Sequence, residues 1–447
     1  MKVNQLLAPW KGDPRYTALS VRAAGLKKAG CDAGEIVALL TAEFGAPVRR
    51  ARLRDQPQPA RVFGEIGVDI EPAAQHQLQL ALRLPVAVRG ALMPDAHPGY
   101  ALPIGGVVAL HRAVAPAMVG VDIACRMHLT LFAEPPEAIV AQRAALFDDL
   151  RAVTAFGAQG RRARPVDHPV LADPRWDVTR QLRSLLSTAA SQLGTSGSGN
   201  HFAELVVGER LPSGRETGAP DAVPERFCGL LTHSGSRGVG YAVAQHYTRV
   251  AQQETGRRAD VPRLYEWLDL DGEAGQEYWA AMELCGDYAR ACHEVIHASF
   301  IQRAGLTPQT VVQHPHNFAW RAGDLVIHRK GATPAETGVL GVIPGSMATP
   351  SYLVEGLGAA AALSSASHGA GRRGSRADAR SAVSLKAVQA ELAARDVLVE
   401  GLSVEEAPQA YKNIEQVLAI QVDARLVRPI ARMRPVAVIM AGEAGDD

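Results

Sequence analysis

The sequence predicts an α+β fold, and three observations carry that expectation. Short apolar runs rich in β-branched residues, at 105–110, 202–207, 228–231, 325–327 and 339–343, have the length of buried strands. Two long helical stretches, 239–253 and 276–302, lie between them. The two kinds of segment do not alternate strictly, which argues against a doubly wound parallel sheet. Mixed sheets flanked by helices are expected.

Along the chain, residues 14–45 read as helices, with Asp32 as N-cap of the second. A polar, proline-bearing stretch at 49–61 reads as a linker, so residues 1–60 form a small helical segment plus linker and residues 61–447 the main domain. Residues 71–82 form a further amphipathic helix. Residues 161–176, rich in Arg, Pro and Asp, read as an exposed loop.

The composition is that of a globular chain: 447 residues, 47% hydrophobic and 21% charged. With 47 basic against 46 acidic side chains, any contact with nucleic acid must come from a local basic groove. Cys31, Cys125, Cys228, Cys285 and Cys292 include no CxxC pair and suggest neither a disulfide framework nor a zinc knuckle. The apolar stretch around Leu6 and Leu7 is too short for a signal peptide. No run approaches the roughly 18 apolar residues of a membrane span. A soluble, cytoplasmic protein with no membrane partner is expected.

The chemistry concentrates in six segments that set His, Asp or Cys beside glycine, serine or one another. They lie at 93–100, 120–125, 197–202, 232–238, 314–317 and 367–372. Glycine at such positions lets the backbone approach a ligand closely. Asp122 and Cys125 would face opposite sides of a regular strand, so Gly120 and Ala124 are expected to mark a bend that turns both inward. With several imidazoles they would make a borderline donor set suited to zinc, manganese or iron. Cys125 as a small buried hydrophobe is equally open at this point. Residues 232–238 end a strand and open a helix, which with Arg237 makes a natural phosphate site. Residues 344–347 and 367–372 are two further glycine and serine loops suited to phosphate.

A competing motif is HEVIH at 293–297, a literal H-E-x-x-H on a helix that would signify a zinc metalloprotease. No third ligand stands at a suitable spacing, and that reading leaves the glycine loops unexplained. It is set aside.

Taken together, the segments resemble the RtcB family of RNA ligases. The resemblance runs from about Met93 to the C-terminus and rests on MPDAHPGYALPIGG, VGVDIAC, GSGNHF, HSGSRGVG, HPHNFAW, RKGA, IPGSM, SHGAGR and YKN, in that order. It implies an RtcB-like fold, with a central metal and nucleotide pocket in a catalytic domain over 61–447. It further implies an RNA ligase that uses GTP as co-substrate and two manganese ions. Such an enzyme joins RNA 3′-phosphate or 2′,3′-cyclic phosphate ends to 5′-hydroxyl ends, in RNA repair or tRNA splicing.

By the same resemblance, Asp122, Cys125, His201, His233 and His316 would be metal ligands, with Cys125 bridging two ions. His368 would be the nucleophile that carries GMP. Asn200, Glu204, Asn317, Pro344, Gly345, Ser346, Met347, Ser351, Gly369, Ala370 and Gly371 would line the guanylate. Asp95 and His97 fall near the site with no role assigned. HEVIH falls within an ordinary helix between family motifs. Arg237, Arg372 and Arg373, with Arg161, Arg162 and Arg164, are candidates for RNA phosphates.

The chain also departs from the family pattern. Family members typically end in an apolar strand followed by Lys-Gly, whereas residues 436–440 here run into Ala441-Gly442 and an acidic tail at Glu443, Asp446 and Asp447. The N-terminal helical segment has no counterpart in that pattern. The alternatives to a ligase are a metal-dependent phosphoesterase and a non-catalytic paralogue that binds nucleotide or RNA. The complete ligand set and the retained His368 argue against the latter.

Overall fold

A computed structural model of the protein describes every residue except 1, 11–12, 14, 47–49, 163, 216–222 and 443–447. The acidic tail and the first linker residue, Arg49, lie outside the described residues.

After a single helical turn at Val3–Leu6 come α1 (Tyr16–Lys28) and α2 (Ala33–Phe44). Asp32 caps α2 reciprocally: its carboxylate accepts from the Glu35 N–H at 2.9 Å, and its own N–H donates to the Glu35 carboxylate at 2.9 Å. Leu7, Trp10, Leu19, Ile36 and Leu40 are buried in a core of their own. The polar stretch that follows is not bare linker. Ala51–Arg52 pairs in parallel with Ala259–Asp260, and Ala60–Val62 joins a sheet. Arg54 anchors the stretch by donating to the carbonyls of Leu84, Pro85 and Ala87.

The remaining helices that shape the site are α3 (Pro72–Leu82), α4 (Arg180–Gln192), α5 (Arg237–Arg258) and α6 (Glu273–Ala304). The strands of the two main sheets, in chain order, are β1 (Ala60–Val62), β2 (Ala87–His97), β3 (Ile104–His111), β4 (Arg126–Phe132), β5 (Phe202–Arg210), β6 (Arg226–Ser234) and β7 (Pro308–Pro315). They continue as β8 (Asn317–Ala322), β9 (Leu325–Lys330), β10 (Leu340–Ile343), β11 (Ser351–Gly356), β12 (Leu398–Glu400) and β13 (Val427–Met440). The larger sheet runs β7-β4-β6-β5-β13-β11-β10, antiparallel throughout, with β12 added in parallel to β13. The smaller sheet runs β8-β9-β3-β2-β1. Sheets of mixed pairing with separate helices make an α+β architecture, as the sequence predicts.

Helices α4, α5 and α6 share a core that includes Trp176, Leu182, Val243, Tyr278 and Tyr288. The expected exposed loop at 161–176 is corrected by this core. It contains the turn Pro169–Ala172 and leads into Pro174–Asp177, and it buries Val170 and Trp176. The Trp176 indole N–H donates to the Val170 carbonyl at 2.8 Å. An apolar anchor every few residues holds down a segment whose overall composition reads as solvated. Among the described residues, no helix is long and apolar enough to cross a membrane.

One junction positions the site. His316 is the single residue between β7 and β8, so it joins the edge strands of the two sheets. At the same end of the larger sheet, Met127 of β4 pairs with His233 of β6, which pairs with Phe202 of β5, which pairs with Met440 of β13.

His328 of β9 shows how burial couples this architecture to pH. Its Nε2 accepts the Ala115 N–H at 3.0 Å, its Nδ1 lies 3.2 Å from the Val326 carbonyl, and burial holds the imidazole down to about 4. The unfolded chain takes up this proton near pH 6.5, so the stabilisation is complete above that pH and is lost as pH falls toward 4. His328→Gln should flatten part of the decline in denaturant midpoint between pH 7.5 and 4.5. A slope equal to that of the unmodified protein contradicts this account.

Candidate active site and metal centre

The turn between the short helix Pro116–Val119 and β4 carries Asp122 and Cys125. Gly120 and Ala124 both have positive φ, 99° and 60°, and the chain bends between them. A non-glycine residue in that region is strained by about 1 kcal/mol or more. Here the Ala124 N–H is held by the Asn317 carbonyl at 2.7 Å. The bend turns both side chains the same way. Gly235 lets the opposite wall close in, since a Cβ there would stand 1.9 Å from Asp122 Oδ1.

The expected ligands converge. Cys125 Sγ lies 3.1 Å from His233 Nε2 and 3.5 Å from His201 Nε2. His233 Nε2 lies 3.2 Å from His316 Nε2, and His201 Nε2 lies 3.1 Å from Asp122 Oδ2. The other ring nitrogens of two histidines are committed: His201 Nδ1 faces the Ser196 carbonyl at 2.9 Å and His233 Nδ1 the Asn200 carbonyl at 3.0 Å. Carbonyls only accept, so the N–H of each ring sits there and the Nε2 lone pairs point inward. Burial keeps both the His233 and His316 imidazoles well below their ordinary range, His233 down to about 3, and so neutral. Lone pairs of nitrogen, sulfur and oxygen this close repel unless a cation or proton lies between them. Two overlapping triads, Cys125/His233/His316 and Asp122/Cys125/His201, have ligand atoms all within 4.8 Å of one another. The residues fit a divalent metal centre of mixed hard and soft donors.

His368 faces this cluster from the smaller sheet's side. It follows the short strand Ser365–Ser367, which pairs with Ala332–Pro334. Its ring centroid lies 5.1 Å from that of His316. Behind it, Asp95 is wholly buried, and its Oδ2 lies 2.7 Å from His368 Nδ1 and accepts the His368 backbone N–H at 3.2 Å. Asp95 sits where β2 leaves its register with β3, between the pairs Leu92↔Gly106 and His97↔Ile104. The freed carbonyls of Pro94 and Ala96 take the Lys412 ammonium at 3.3 and 2.7 Å. Gly371, at φ 74°, closes the pair, because a Cβ there would stand 2.1 Å from the Asp95 carbonyl oxygen. Sequence reasoning left Asp95 without a role. The PDAH and YKN motifs were the available signal, but their partners are far away in the chain.

A cavity of about 310 Å³ connects these groups. All the expected metal-ligand, nucleophile and guanylate positions line it except His201, which is buried. At one end, Met127, Phe202, Met347, Val438 and Met440 wall in the Glu204 carboxyl, whose Oε1 has no hydrogen-bond partner among the described residues. Burial pushes that carboxyl up to about 8. At the rim, the Gly345 N–H donates to Ser351 Oγ at 3.3 Å and the Ser346 N–H to Thr349 Oγ1 at 2.7 Å. Arg376, Glu406 and Tyr411 also line the cavity and were not foreseen.

Some expected groups point elsewhere. Arg237 is buried and committed, donating to Thr195 Oγ1 at 2.9 Å and to the Gly157 carbonyl at 2.7 Å, so it braces the 194–201 loop and is no phosphate contact. Arg162 is half-buried against the Val153 and Gly194 carbonyls. Arg372 lines the cavity, paired with Glu406 at 3.1 Å. Arg161, Arg164 and Arg373 are exposed. His293 and His297 of HEVIH are buried outside the cavity and belong to neither ligand triad.

The fold and site define a class: α+β proteins with a candidate metal centre at the junction of two sheets and a buried carboxylate–histidine pair beside it. Residues 77–441 match the family described as tRNA-splicing ligase RtcB. The RNA-splicing ligase RtcB of Mycobacterium tuberculosis is 31% identical over 424 residues, covering 80% of this chain and 98% of the relative. That of Escherichia coli K12 is 30% identical over 405 residues, covering 83% and 95%. The tRNA-splicing ligase RtcB of Nanoarchaeum equitans is 31% identical over 422 residues, covering 78% and 87%. The chain belongs to the RtcB family.

The Cys125 thiol gives the centre a pH signature. Burial, with Asp122 nearby, raises it well above its ordinary range, so the metal-free protein holds the proton. A metal that takes the thiolate must displace that proton, and affinity must rise with pH. Manganese titrations between pH 6.5 and 8.5 should show affinity rising about tenfold per pH unit, with proton release, and Cys125→Ser should flatten the slope. A pH-independent affinity in the unmodified protein would sink this prediction.

Proposed function

We propose that this chain is an RNA ligase that joins RNA 3′-phosphate or 2′,3′-cyclic phosphate ends to 5′-hydroxyl ends, with GTP as co-substrate and His368 as the group that carries GMP. One observation supports this most: His368 Nδ1 lies 2.7 Å from a buried carboxylate, Asp95, while the ring faces the metal-ligand cluster. A buried carboxylate holds the proton on Nδ1, leaving the Nε2 lone pair toward the cavity. A phosphoesterase would use such a pair only as general acid or base, so a covalent protein–GMP bond separates the two readings.

Two manganese ions held by Asp122, Cys125, His201, His233 and His316, with Cys125 shared, would neutralise phosphate charge at this site. The protein's own part begins with His368 Nε2 attacking the α-phosphorus of GTP. An N–P bond forms, the bond to the β-phosphate oxygen breaks, and pyrophosphate leaves. Asp95 balances the positive charge that develops on the ring. An oxygen of the RNA 3′-phosphate then takes the GMP, breaking the N–P bond and restoring neutral His368. The 5′-hydroxyl attacks the activated 3′-phosphorus, loses its proton and expels GMP. A cyclic phosphate is opened by water beforehand.

Glu204, alone at the apolar end of the cavity, suits the N–H groups of a guanine edge. Asn200, Asn317, Ser351 and the loops Pro344 to Met347 and Gly369 to Gly371 line the rest of the guanylate. A catalytic domain over 61–447, a small helical segment plus linker at 1–60, and a cytoplasmic setting are part of the same proposal.

Incubation with α-labelled GTP and manganese should label the protein through an acid-labile, alkali-stable bond. His368→Ala should abolish label and ligation, and Asp95→Asn should slow labelling at least tenfold, the equivalent of about 1.5 kcal/mol for a charged hydrogen bond. Label persisting in His368→Ala, or mapping to Lys330, would contradict the proposal. A second expectation concerns Ala441, which follows the cavity-lining Met440 where the family pattern has lysine. Ala441→Lys should tighten GTP binding by about tenfold, as a new charged hydrogen bond would. Unchanged affinity and unchanged preference over ATP would refute it.

A further inference from the structure

The HEVIH motif of α6 is absorbed neither by the cavity nor by the ligand triads, yet its two imidazoles are among the most thoroughly buried in the molecule. His293 is 0% exposed and His297 3%, and Thr130 of β4 and Thr232 of β6 beside them are 2% and 1% exposed. His293 Nε2 lies 3.2 Å from the Ser234 carbonyl, and its Nδ1 lies 2.6 Å from Thr232 Oγ1. His297 Nε2 lies 2.8 Å from that same Oγ1, and its Nδ1 lies 2.8 Å from Thr130 Oγ1.

Proton accounting favours one arrangement, because the His128 carbonyl, the rival acceptor for the Thr232 hydroxyl, stands at 3.5 Å against 2.6 Å for His293 Nδ1. A carbonyl only accepts, so the His293 proton is on Nε2. Its bare Nδ1 must then accept, and the Thr232 hydroxyl donates to it. The single Thr232 proton is now spent, so its oxygen accepts from His297 Nε2–H. The bare Nδ1 of His297 accepts in turn from the Thr130 hydroxyl. Burial holds both rings well below their ordinary range, which keeps them neutral as this scheme requires. His128 closes the remaining side, its ring 4.2 Å from that of His297 and stacked at 5.7 Å on that of His293.

The far end of this chain of bonds reaches the metal centre. Ser234 follows His233 directly, and its hydroxyl donates to the Ser196 carbonyl, which also receives His201 Nδ1 at 2.9 Å. We infer that HEVIH is a positioning element: a one-directional hydrogen-bond chain, Thr130 to His297 to Thr232 to His293 to the Ser234 carbonyl, that fixes the end of β6 and through it the aim of His233 and His201. It rests on the reading of those two histidines as metal ligands. A metalloprotease would need both Nε2 lone pairs of the motif for zinc, whereas here both Nε2 atoms carry protons.

Two measurements on the full-length protein test this. In the metal-free protein labelled with ¹⁵N-histidine, His293 and His297, assigned from His293→Gln and His297→Gln, should both show the Nε2–H tautomer. Either ring found as Nδ1–H or as a mixture overturns the inference. Titration with manganese chloride alone should then show Thr232→Val, which keeps the shape and removes the hydroxyl, binding about tenfold or more weakly, as loss of an outer-shell partner does. Thr232→Ser should bind as the unmodified protein does. Equal affinity in Thr232→Val overturns the inference while leaving the metal assignment intact. Failure of the unmodified protein to bind manganese overturns the metal assignment, and the tautomers then decide on the hydrogen-bond chain alone. They also decide alone if Thr232→Val does not fold.

Discussion

The site depends on one electrostatic requirement. Around Cys125, ligand atoms of His201, His233, His316 and Asp122 meet at 3.1 to 3.5 Å, and the ring N–H groups of His201 and His233 are committed to carbonyls elsewhere. Such a cluster is costly in a buried pocket unless a cation fills it. The surrounding structure therefore has to hold it together. Carbonyls of Ser196 and Asn200 orient two rings, and the Cys125 carbonyl takes the His316 backbone N–H at 2.9 Å. Because His316 is the hinge between the two sheets, the requirement also fixes how the sheets meet.

The second element answers the first from across the cavity. Asp95 is held by a strand that bows out of register, Lys412 secures the bow, and the Lys412 N–H donates to the Gly371 carbonyl at 2.9 Å. One residue thus ties the Asp95 strand to the loop that carries His368. The His368 ring of the pair stands 5.1 Å from that of His316, and Gly371 lets the His368 loop close on the Asp95 backbone.

Much of this was legible in the sequence, and the reasons are physical. Site chemistry on glycine-rich turns is written locally, so Asp122, Cys125, His201, His233, His316 and His368 could be singled out from short motifs. Apolar runs marked β5, β6 and β10 of the larger sheet and β3 and β9 of the smaller, and Asp32 marked the start of α2. Contacts made across long separations were not legible. Asp95 and His368 are 273 positions apart, and nothing near either residue names the other. Arg237 looked like a phosphate ligand because a strand-to-helix turn with arginine makes anion sites, but its partners come from the 157 and 195 loops. HEVIH looked either zinc-binding or idle, because its spacing shows two imidazoles on one helix face and hides the threonines of β4 and β6 that meet them.

The position of bound metal decides whether the junction of the two sheets is the metal centre. Crystals loaded with manganese, measured at its absorption edge, should give anomalous peaks among Asp122, Cys125, His201, His233 and His316, with Cys125 nearest to both if two ions are present. Peaks at His293 and His297, or none at the junction of the two sheets under saturating manganese, would contradict it.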